Sequence, residues 1–218
     1  MSDTTATSSN NKSETGVAPW RSPLSRALHR NRALAYARYL QLATVGADGR
    51  PHNRTVVFRG FVDDLGESNL LKFISDQRSQ KVAQLSSNAW AEACWYFPKT
   101  REQFRLSGKI ISVGDRAQPP YNESSLSSRY TTQRQATWQA LSDKARSQFY
   151  WPQPGELRQE EEQFLSSSIN PPSPPHTFTL LLLSPNEVDH LELRGNPQNR
   201  FLYRKDSNQT WKCFPINP

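Results

Sequence analysis

The stretch Asn53–Phe61, with the sequence NRTVVFRGF, alternates β-branched and aromatic residues with two arginines. Such residues favour a strand, so residues 51–61 are predicted to pair through a glycine-containing turn with a strand over residues 41–45. Arginines in so apolar a strand either face solvent at a sheet edge or meet an anionic ligand. Strict alternation places Arg54 and Arg59 on opposite faces, so one ligand contacts both only where the strand bends or ends.

Outward from this hairpin, strands and helices alternate in short segments. Further strands are predicted at residues 70–75, 90–97, 101–113, 176–183, 187–193, 200–204 and 211–214. Helices are predicted from Ser22 as N-cap, over residues 33–40, and over residues 77–87 with Asp76 as cap. Loops are predicted at residues 63–69 and 166–175, and an inserted helical segment at residues 122–165. This pattern predicts a mainly β (α+β) barrel of six or more antiparallel strands with peripheral helices.

Composition predicts one domain behind an N-terminal tail. Residues 1–18 of the 218 are rich in Ser, Thr and Asn without apolar periodicity, so we expect a disordered tail and a domain over residues 19–218. The sequence contains neither an apolar stretch long enough to cross a bilayer nor a signal or transit peptide pattern. Two cysteines, Cys94 and Cys213, are too few for a disulfide framework, and a cytoplasmic protein is expected.

The net charge of +7 is typical either of a soluble protein with a basic surface or of a protein with an anionic partner, which would be nucleic acid or a phosphorylated small molecule. The basic residues are scattered along the sequence, and the tryptophans fall in strand and helix patterns that favour core packing. Nucleic-acid binding is therefore not expected, although it stays a third hypothesis. The four histidines have no metal-ligand or triad spacing, so we expect no metal and assign no catalytic residue.

Two other segments carry groups that suit a phosphorylated ligand. In Ser75–Lys81 a strand ends and a helix begins, which presents free N–H groups together with the Ser75 and Ser79 hydroxyls and the Arg78 and Lys81 charges. Many helix starts look similar, so an ordinary helix start remains an alternative. Gln103 can donate and accept hydrogen bonds, as the edge of a flavin ring requires, or it is simply an exposed polar residue.

In this order and spacing the segments resemble the pyridoxamine 5′-phosphate oxidase family. That family carries an Arg-rich strand, a strand ending in a hydroxyl, a Ser-x-Lys helix start, an Arg-Gln pair, and a late Arg-Phe-x-Tyr segment followed by Trp. The matching segments here are Arg54–Arg59, Ile74-Ser75, Ser79-Gln80-Lys81, Gln103, Arg200–Tyr203 and Trp211. The likeness covers about residues 20–218, and NRTVVFRGF looks most similar to a divergent, mostly uncharacterised branch.

The resemblance implies an FMN-binding split barrel that forms a homodimer with FMN at the interface. Arg54, Ser75 and Lys81 would hold the 5′-phosphate, and Gln103 and Arg200 would meet the ring from the other subunit. The cofactor-binding residues implied are Arg54, Thr55, Val56, Val57, Phe58, Arg59, Ile74, Ser75, Ser79, Gln80, Lys81, Gln103 and Arg200.

The substrate half of the family pattern is altered. The family's substrate lysine is Arg59 here, and Arg129, ahead of Trp138, matches its substrate arginine. The family's tyrosine and serine that share the substrate phosphate fall at Ser125 and Gln133. The remaining departures are Asn196-Pro197-Gln198 in place of an Arg-x-His pair and Leu191 in place of a flavin-contacting Trp.

These features imply an FMN-dependent oxidoreductase that resembles pyridoxamine/pyridoxine 5′-phosphate oxidase and acts on a small phosphorylated or redox substrate. The alternative is a non-catalytic flavin carrier or sensor, which the same residues would support. Reduction of the bound flavin by NADPH, NADH or a candidate substrate distinguishes the two.

Overall fold

The computed structural model of the chain describes residues 16–62, 69–115, 124–165 and 172–218. These residues form eight strands and four α-helices, and two short 3-10 turns lie at Gln148–Tyr150 and Glu161–Phe164. The strands are β1 (Tyr39–Val45), β2 (Pro51–Val57), β3 (Leu71–Asp76), β4 (Trp90–Phe97), β5 (Glu102–Val113), β6 (Phe178–Glu192), β7 (Asn199–Lys205) and β8 (Trp211–Ile216). The helices are α1 (Arg21–Asn31), α2 (Gln80–Ser87), α3 (Ser124–Gln139) and α4 (Asp143–Ser147).

The sheet is antiparallel and closes on itself. Its strand order is β2-β1-β4-β5-β6-β7-β8, with β3 paired to the first half of β6 and β7 to the second half. The chain just after β2 bonds to β3, because Arg59 N donates to Lys72 O at 2.9 Å and Lys72 N donates to Gly60 O at 2.8 Å. These bonds complete a ring of six strands, β1 to β6, which removes the exposed edges that an open sheet would leave. The predicted mainly β barrel with peripheral helices is therefore confirmed.

The barrel interior is filled by aromatic and aliphatic side chains from alternating strand positions. Trp95, Phe97 and Phe104 are fully buried, and the ring of Trp95 lies 4.9 Å from that of Phe58. The β4 pattern of alternating exposed and buried residues follows from the two-residue period of a strand. Each such side chain contributes about 1.5–3 kcal/mol through burial.

Two secondary-structure predictions were wrong. The helix predicted over residues 33–40 does not form: residues 33–38 make successive turns, and residues 39 and 40 already belong to β1. The buried Trp95 indole holds these turns in place by donating to the Ala37 carbonyl at 2.9 Å. The strands predicted at residues 176–183 and 187–193 are one strand, β6, which runs through Pro185. Proline is tolerated there because the pairing of β5 and β6 shifts register between Ser107 and Gly108, and a bulge has no ladder bond to lose at that point.

The predicted helix caps and tail boundary also differ. Helix α1 has Trp20 at its N-cap, and Ser22 instead accepts a hydrogen bond from Arg26 at 2.7 Å. Helix α2 has Ser79 rather than Asp76 at its N-cap, because the Asp76 carboxylate is engaged by Arg78. Ala18, placed in the predicted tail, is buried and its N–H donates to Asn69 Oδ1 at 2.8 Å.

Some predictions fall outside the described residues. These are the disordered tail over residues 1–15, most of the predicted loops at residues 63–69 and 166–175, and residues 122–123 of the inserted segment. Among the helices that are described, none has both the length and the apolar character needed to cross a membrane.

Gly108 allows β5 and β6 to approach at the register shift. A Cβ at this position would overlap the Ser184 carbonyl oxygen and crowd the Pro185 backbone. We expect Gly108→Ala to lower the free energy of unfolding by about 1–3 kcal/mol, because neither backbone can move freely inside the sheet. Thermal unfolding measures the effect, and Ser107→Ala at the adjoining position is the control. Equal melting temperatures for the two variants would contradict this account of the bulge.

Candidate functional site

Two cations and two hydroxyls meet where β3 ends and α2 begins. Lys81 Nζ donates to Ser75 Oγ at 3.0 Å and to Ser79 Oγ at 3.2 Å, and the two hydroxyls lie 3.0 Å apart. Both serines are buried. We call Arg54, Ser75, Ser79 and Lys81 the cation–hydroxyl cluster, since the charge of Arg54 acts on Lys81 across this site.

The guanidinium of Arg54 is held in place by neutral acceptors. It donates to the Leu42 carbonyl at 3.1 Å, to Thr44 Oγ1 at 2.6 Å and to Gln84 Oε1 at 3.0 Å. Thr44 in turn donates to Gln84 Oε1 at 2.7 Å, and both residues are buried. This network links β1, β2 and α2, so the orientation of Arg54 is fixed by the fold.

The electrostatics of the cluster favour an added anion. Desolvation lowers the pKa of Lys81, the nearby positive charge of Arg54 lowers it further, and Asp76 acts in the opposite direction. Desolvation also lowers the pKa of Arg54. Within the described residues neither cation forms an ion pair with a carboxylate, since their hydrogen-bond partners are all neutral. A phosphate would relieve the repulsion between the two cations and accept hydrogen bonds from both cations and both hydroxyls.

Arg78, predicted to add charge here, is neutralised. Its guanidinium bonds to both carboxylate oxygens of Asp76, at 3.0 and 2.7 Å, and to the Trp151 carbonyl at 3.0 Å. The hydrogen bonds that Arg78 donates to Asp76 raise the pKa of Arg78. Arg78 therefore fixes the turn before α2.

A second group of cations lines a cavity of about 280 Å³ beside β3. Arg38, Arg59 and Lys72 lie along one side, and α3 supplies Gln133 together with small side chains. Desolvation and the positive charge of Arg38 lower the pKa of Arg59. Lys72 Nζ donates to Gln133 Oε1 at 3.4 Å. Since Lys72 and Ser75 project from opposite faces of β3, this cavity and the cation–hydroxyl cluster are separate sites.

Gln103 and Arg200 share a face of the sheet. In the register, Gln103 lies opposite Leu191, which lies opposite Arg200, so the three residues form one row across β5, β6 and β7. Arg200 binds the Asp189 carboxylate through two bonds of 3.0 and 2.7 Å, and Arg105 binds the same carboxylate at 2.7 Å. Partial burial acts to raise the pKa of Asp189, but hydrogen bonds from the two arginines outweigh it and lower that pKa.

The remaining predicted residues fall into three environments. The Val56 and Phe58 side chains are in the core, so only their backbone can face a ligand. The Ile74 side chain packs against α3 and the 3-10 turn at Gln148–Tyr150, so Ile74 too can face a ligand only through its backbone. Thr55, Arg59, Gln80 and Arg129 are exposed, while Val57 is half-buried. Arg129 is absent from the cavity lining, and the side chain of Ser125 is outside the described part of the chain.

Sequence reasoning missed several residues that orient these groups. Thr44 and Gln84 hold Arg54, Asp189 holds Arg200, and Arg38 and Lys72 line the cavity. Gln84 lies beside Leu85 in the buried stripe of α2, and a glutamine in such a stripe signals a buried partner. Arg38 has no comparable signal, because it reaches the cavity only through the turns before β1.

Comparisons with known proteins agree with this arrangement. The sequence profile of the pyridoxamine 5′-phosphate oxidase FMN-binding domain matches residues 17–114. Pyridoxine/pyridoxamine 5′-phosphate oxidase 2 of Arabidopsis thaliana is 37% identical over 207 residues, covering 94% of this chain and 99% of that protein. A pyridoxine/pyridoxamine 5′-phosphate oxidase of Cupriavidus pinatubonensis is 28% identical, covering 82% of this chain and 78% of that protein.

Solved structures give the same result. A pyridoxamine 5′-phosphate oxidase-related, FMN-binding protein from Nostoc punctiforme superposes with a TM-score of 0.84 at 51% identity, covering 94% of this chain and 100% of that chain. PhzG from Burkholderia lata, in complex with tetrahydrophenazine-1-carboxylic acid, superposes with a TM-score of 0.71 at 20% identity, covering 94% of this chain and 95% of that chain. At that identity the second likeness concerns the fold alone.

The Asp189 carboxylate is expected to stabilise the fold in a pH-dependent way. Because its folded-state pKa is lowered, its contribution is present above the ordinary carboxyl pKa and is lost as the pH falls through the lowered value. We expect Asp189→Asn to lower the free energy of unfolding by about 1.5–3 kcal/mol at neutral pH. The variant and the parent protein are expected to differ less in their free energies of unfolding as the pH becomes acidic. Urea unfolding across pH measures this, with the exposed Asp48→Asn as control. A difference that widens in acid would contradict the assignment.

Proposed function

Because the chain belongs to the pyridoxamine 5′-phosphate oxidase family of FMN-binding proteins, we propose that it is an FMN-dependent oxidoreductase whose substrate carries an anionic group. The observation that carries this proposal is the pairing of two cationic sites around β2 and β3. One holds Arg54 and Lys81 among neutral partners, and the other holds Arg38, Arg59 and Lys72 around a small cavity. An enzyme that binds a phosphorylated cofactor and an anionic substrate needs two such sites.

FMN is the cofactor, and the cation–hydroxyl cluster is the proposed site of its 5′-phosphate. Arg54 and Lys81 supply charge, and Ser75 and Ser79 supply hydroxyl donors. The exposed Gln80 and Thr55 flank the cluster on α2 and β2. The donor set fits a phosphate because the described residues present no ionised acceptor to Arg54 or Lys81.

The chain Val56–Arg59 is the proposed support of the flavin ring. Its Val56 and Phe58 side chains anchor it in the core, which presents the backbone and Val57 outward. When bound, FMN supplies the two-electron redox chemistry, and the protein supplies binding and orientation. Phe58 N and Arg59 N already donate to the Arg38 and Lys72 carbonyls, which fixes this segment in the barrel, so the ring would meet a surface that is already in place.

The cavity beside β3 is the proposed site of the substrate's anionic group. Arg59 and Lys72 provide charge there, and the Gln133 amide provides hydrogen bonds. Arg129 lies one helical turn before Gln133 on α3, and it is the proposed additional substrate contact. Relatives are named pyridoxine/pyridoxamine 5′-phosphate oxidases, so pyridoxine 5′-phosphate is the first substrate to examine.

A homodimer is proposed to complete the flavin site. The row of Gln103, Leu191 and Arg200 faces away from the core beside the exposed side chain of Tyr96, which lies opposite Gln103 on β4. A second copy packed on this face would cover Tyr96 and bring Gln103 and Arg200 to the partner's flavin. Asp189 orients Arg200 for that contact.

One experiment separates an enzyme from a flavin carrier. The purified protein is examined by visible absorption, the released cofactor is identified by mass, and the bound flavin is followed anaerobically on addition of pyridoxine 5′-phosphate, NADH or NADPH. Bleaching by one of these compounds and recovery in oxygen support the oxidoreductase. A flavin that none of these compounds reduces favours the carrier, and protein without flavin overturns the whole proposal.

We expect Arg54→Gln and Lys81→Ala each to weaken FMN binding roughly ten- to hundredfold. Each removes charge-assisted hydrogen bonds that contribute about 1.5–3 kcal/mol. Fluorescence titration of the apoprotein with FMN measures the change, and Lys109→Ala, which removes an exposed lysine from β5, is the control. Unchanged affinity in both site variants would remove the phosphate assignment.

Arg59→Gln is expected to weaken binding of pyridoxine 5′-phosphate by roughly tenfold or more while the protein still retains FMN. The reason is that Arg59 is a charged wall of the cavity and lies away from the cation–hydroxyl cluster. Titration of the flavin absorbance with the phosphate compound reports binding, and Arg50→Gln on the exposed hairpin turn is the matched control. Loss of flavin instead would assign Arg59 to the cofactor.

A further inference from the structure

A large basic groove lies at the end of the barrel beside α1. The cavity measures about 740 Å³ and is open to solvent. It is lined by residues from the end of α1, the β4–β5 turn and the end of β6: Arg26, His29, Arg30, Arg32, Lys99, Thr100, Glu102, Glu192 and Arg194. Five cations thus face two carboxylates, and the volume is typical of pockets that bind small molecules.

The groove belongs to neither of the sites described above. Glu102 and Gln103 are neighbours in β5, so their side chains project from opposite faces of the sheet. Gln103 lies on the face assigned to the partner's flavin, whereas Glu102 lies on the face toward α1, where it contacts His190 at 3.0 Å. Both the cation–hydroxyl cluster and the β3 cavity consist of other residues.

The backbone of the groove walls is tied together by hydrogen bonds, two of them through the buried side chain of Asn31. Asn31, fully buried at the end of α1, accepts from Lys99 N at 2.9 Å and donates to Thr100 Oγ1 at 3.2 Å. Arg194 donates to the Lys99 carbonyl at 2.7 Å. The three segments are therefore held together, so the backbone positions that carry the cations stay close to one another.

The five cations outnumber the two carboxylates that line the groove with them, although the charge of Arg30 does act on Glu102. Within the described ranges, none of Arg26, Arg30, Arg32, Lys99 and Arg194 forms an ion pair with a carboxylate. The helix dipole explains one part of this set, because Arg30 lies in the last turn of α1. The dipole of α1 does not explain Lys99 and Arg194, which come from other elements. The excess of positive charge in the groove therefore favours the binding of an anion.

The carboxylates decide what kind of anion fits. Desolvation acts to raise the pKa of Glu102, but hydrogen bonds from His190 and Thr100 outweigh it, so the pKa is lowered and the group is ionised at neutral pH. Ligand atoms of Glu102, His190 and Glu192 lie within 4.8 Å of one another, yet the surrounding cations disfavour a metal ion. Ionised carboxylates would also repel a nucleic-acid backbone lying across them, whereas they accept hydrogen bonds from hydroxyl or amine groups.

We propose that the basic groove is a second ligand site, which binds a small phosphorylated metabolite bearing hydroxyl or amine groups. Its phosphate contacts the arginines and Lys99, and its donor groups contact Glu102 and Glu192. The site is separate from the flavin sites, so its occupation does not depend on the proposed oxidoreductase activity.

The test uses the FMN-loaded protein and two probes, inorganic pyrophosphate and fructose 1,6-bisphosphate, in calorimetric titrations. The parent protein is expected to bind the sugar bisphosphate, and Arg30→Gln/Arg194→Gln to weaken that binding at least tenfold while the flavin spectrum is retained. The control Arg50→Gln/Lys109→Gln makes the same change in net charge elsewhere and is expected to bind as the parent does. Glu192→Gln is expected to weaken binding of the sugar bisphosphate more than binding of pyrophosphate, because only the sugar has hydroxyl groups that donate to the carboxylate.

Three results would overturn the proposal. The first is binding of neither probe by the parent protein, and the second is an equal loss in the control. The third is displacement of the sugar bisphosphate by a single-stranded oligonucleotide of higher affinity, which would make the groove a nucleic-acid surface. Loss of flavin from Arg30→Gln/Arg194→Gln would overturn the separation of the sites, whereas failure of flavin reduction in the earlier experiment would leave the groove unaffected.

Discussion

The repulsion between two partly desolvated cations, Arg54 and Lys81, is the constraint on which the proposed flavin site depends. The fold holds them close with neutral hydrogen-bond partners, Thr44 and Gln84 for Arg54 and two serines for Lys81. Such an arrangement costs stability unless an anion is present, because each positive charge disfavours the other. Binding of the flavin phosphate would recover that cost, so the cofactor is expected to be part of the stability of the native protein as well as of its chemistry.

The barrel topology places the two proposed anion sites on opposite faces of one strand. Closure of the chain after β2 onto β3 places the Arg59 cavity on one face of β3 and Ser75 on the other. The long strand β6 then carries Asp189 and Leu191 outward, toward the proposed partner subunit, while His190 points inward and stacks on Phe104 with ring centroids 4.0 Å apart. One strand thus separates the flavin-facing surface from the basic groove, through nothing more than the two-residue period of a β-strand.

The three cationic sites differ in what surrounds their charge. The cation–hydroxyl cluster contains hydroxyls and no carboxylate partner, which suits a phosphate ester. The β3 cavity adds the Gln133 amide, and the groove beside α1 adds two carboxylates that select ligands with donor groups. The net charge of +7 is therefore distributed over sites of distinct chemistry.

The sequence by itself determined the strands with clear alternation, the barrel class and the grouping of Ser75, Ser79 and Lys81, because these signals are local: period-two burial, and a strand end and a helix start within seven residues. The placement of Arg54 beside them was expected only from the family resemblance. The tertiary structure alone decided which residues orient them. Gln84 meets Arg54 across 30 residues, Asp189 meets Arg105 across 84, and Arg194 meets Lys99 across 95. It also decided that β6 is one strand and that residues 33–38 form turns, since a bulge opposite Gly108 and an indole bonded to Ala37 arise only when distant segments pack together.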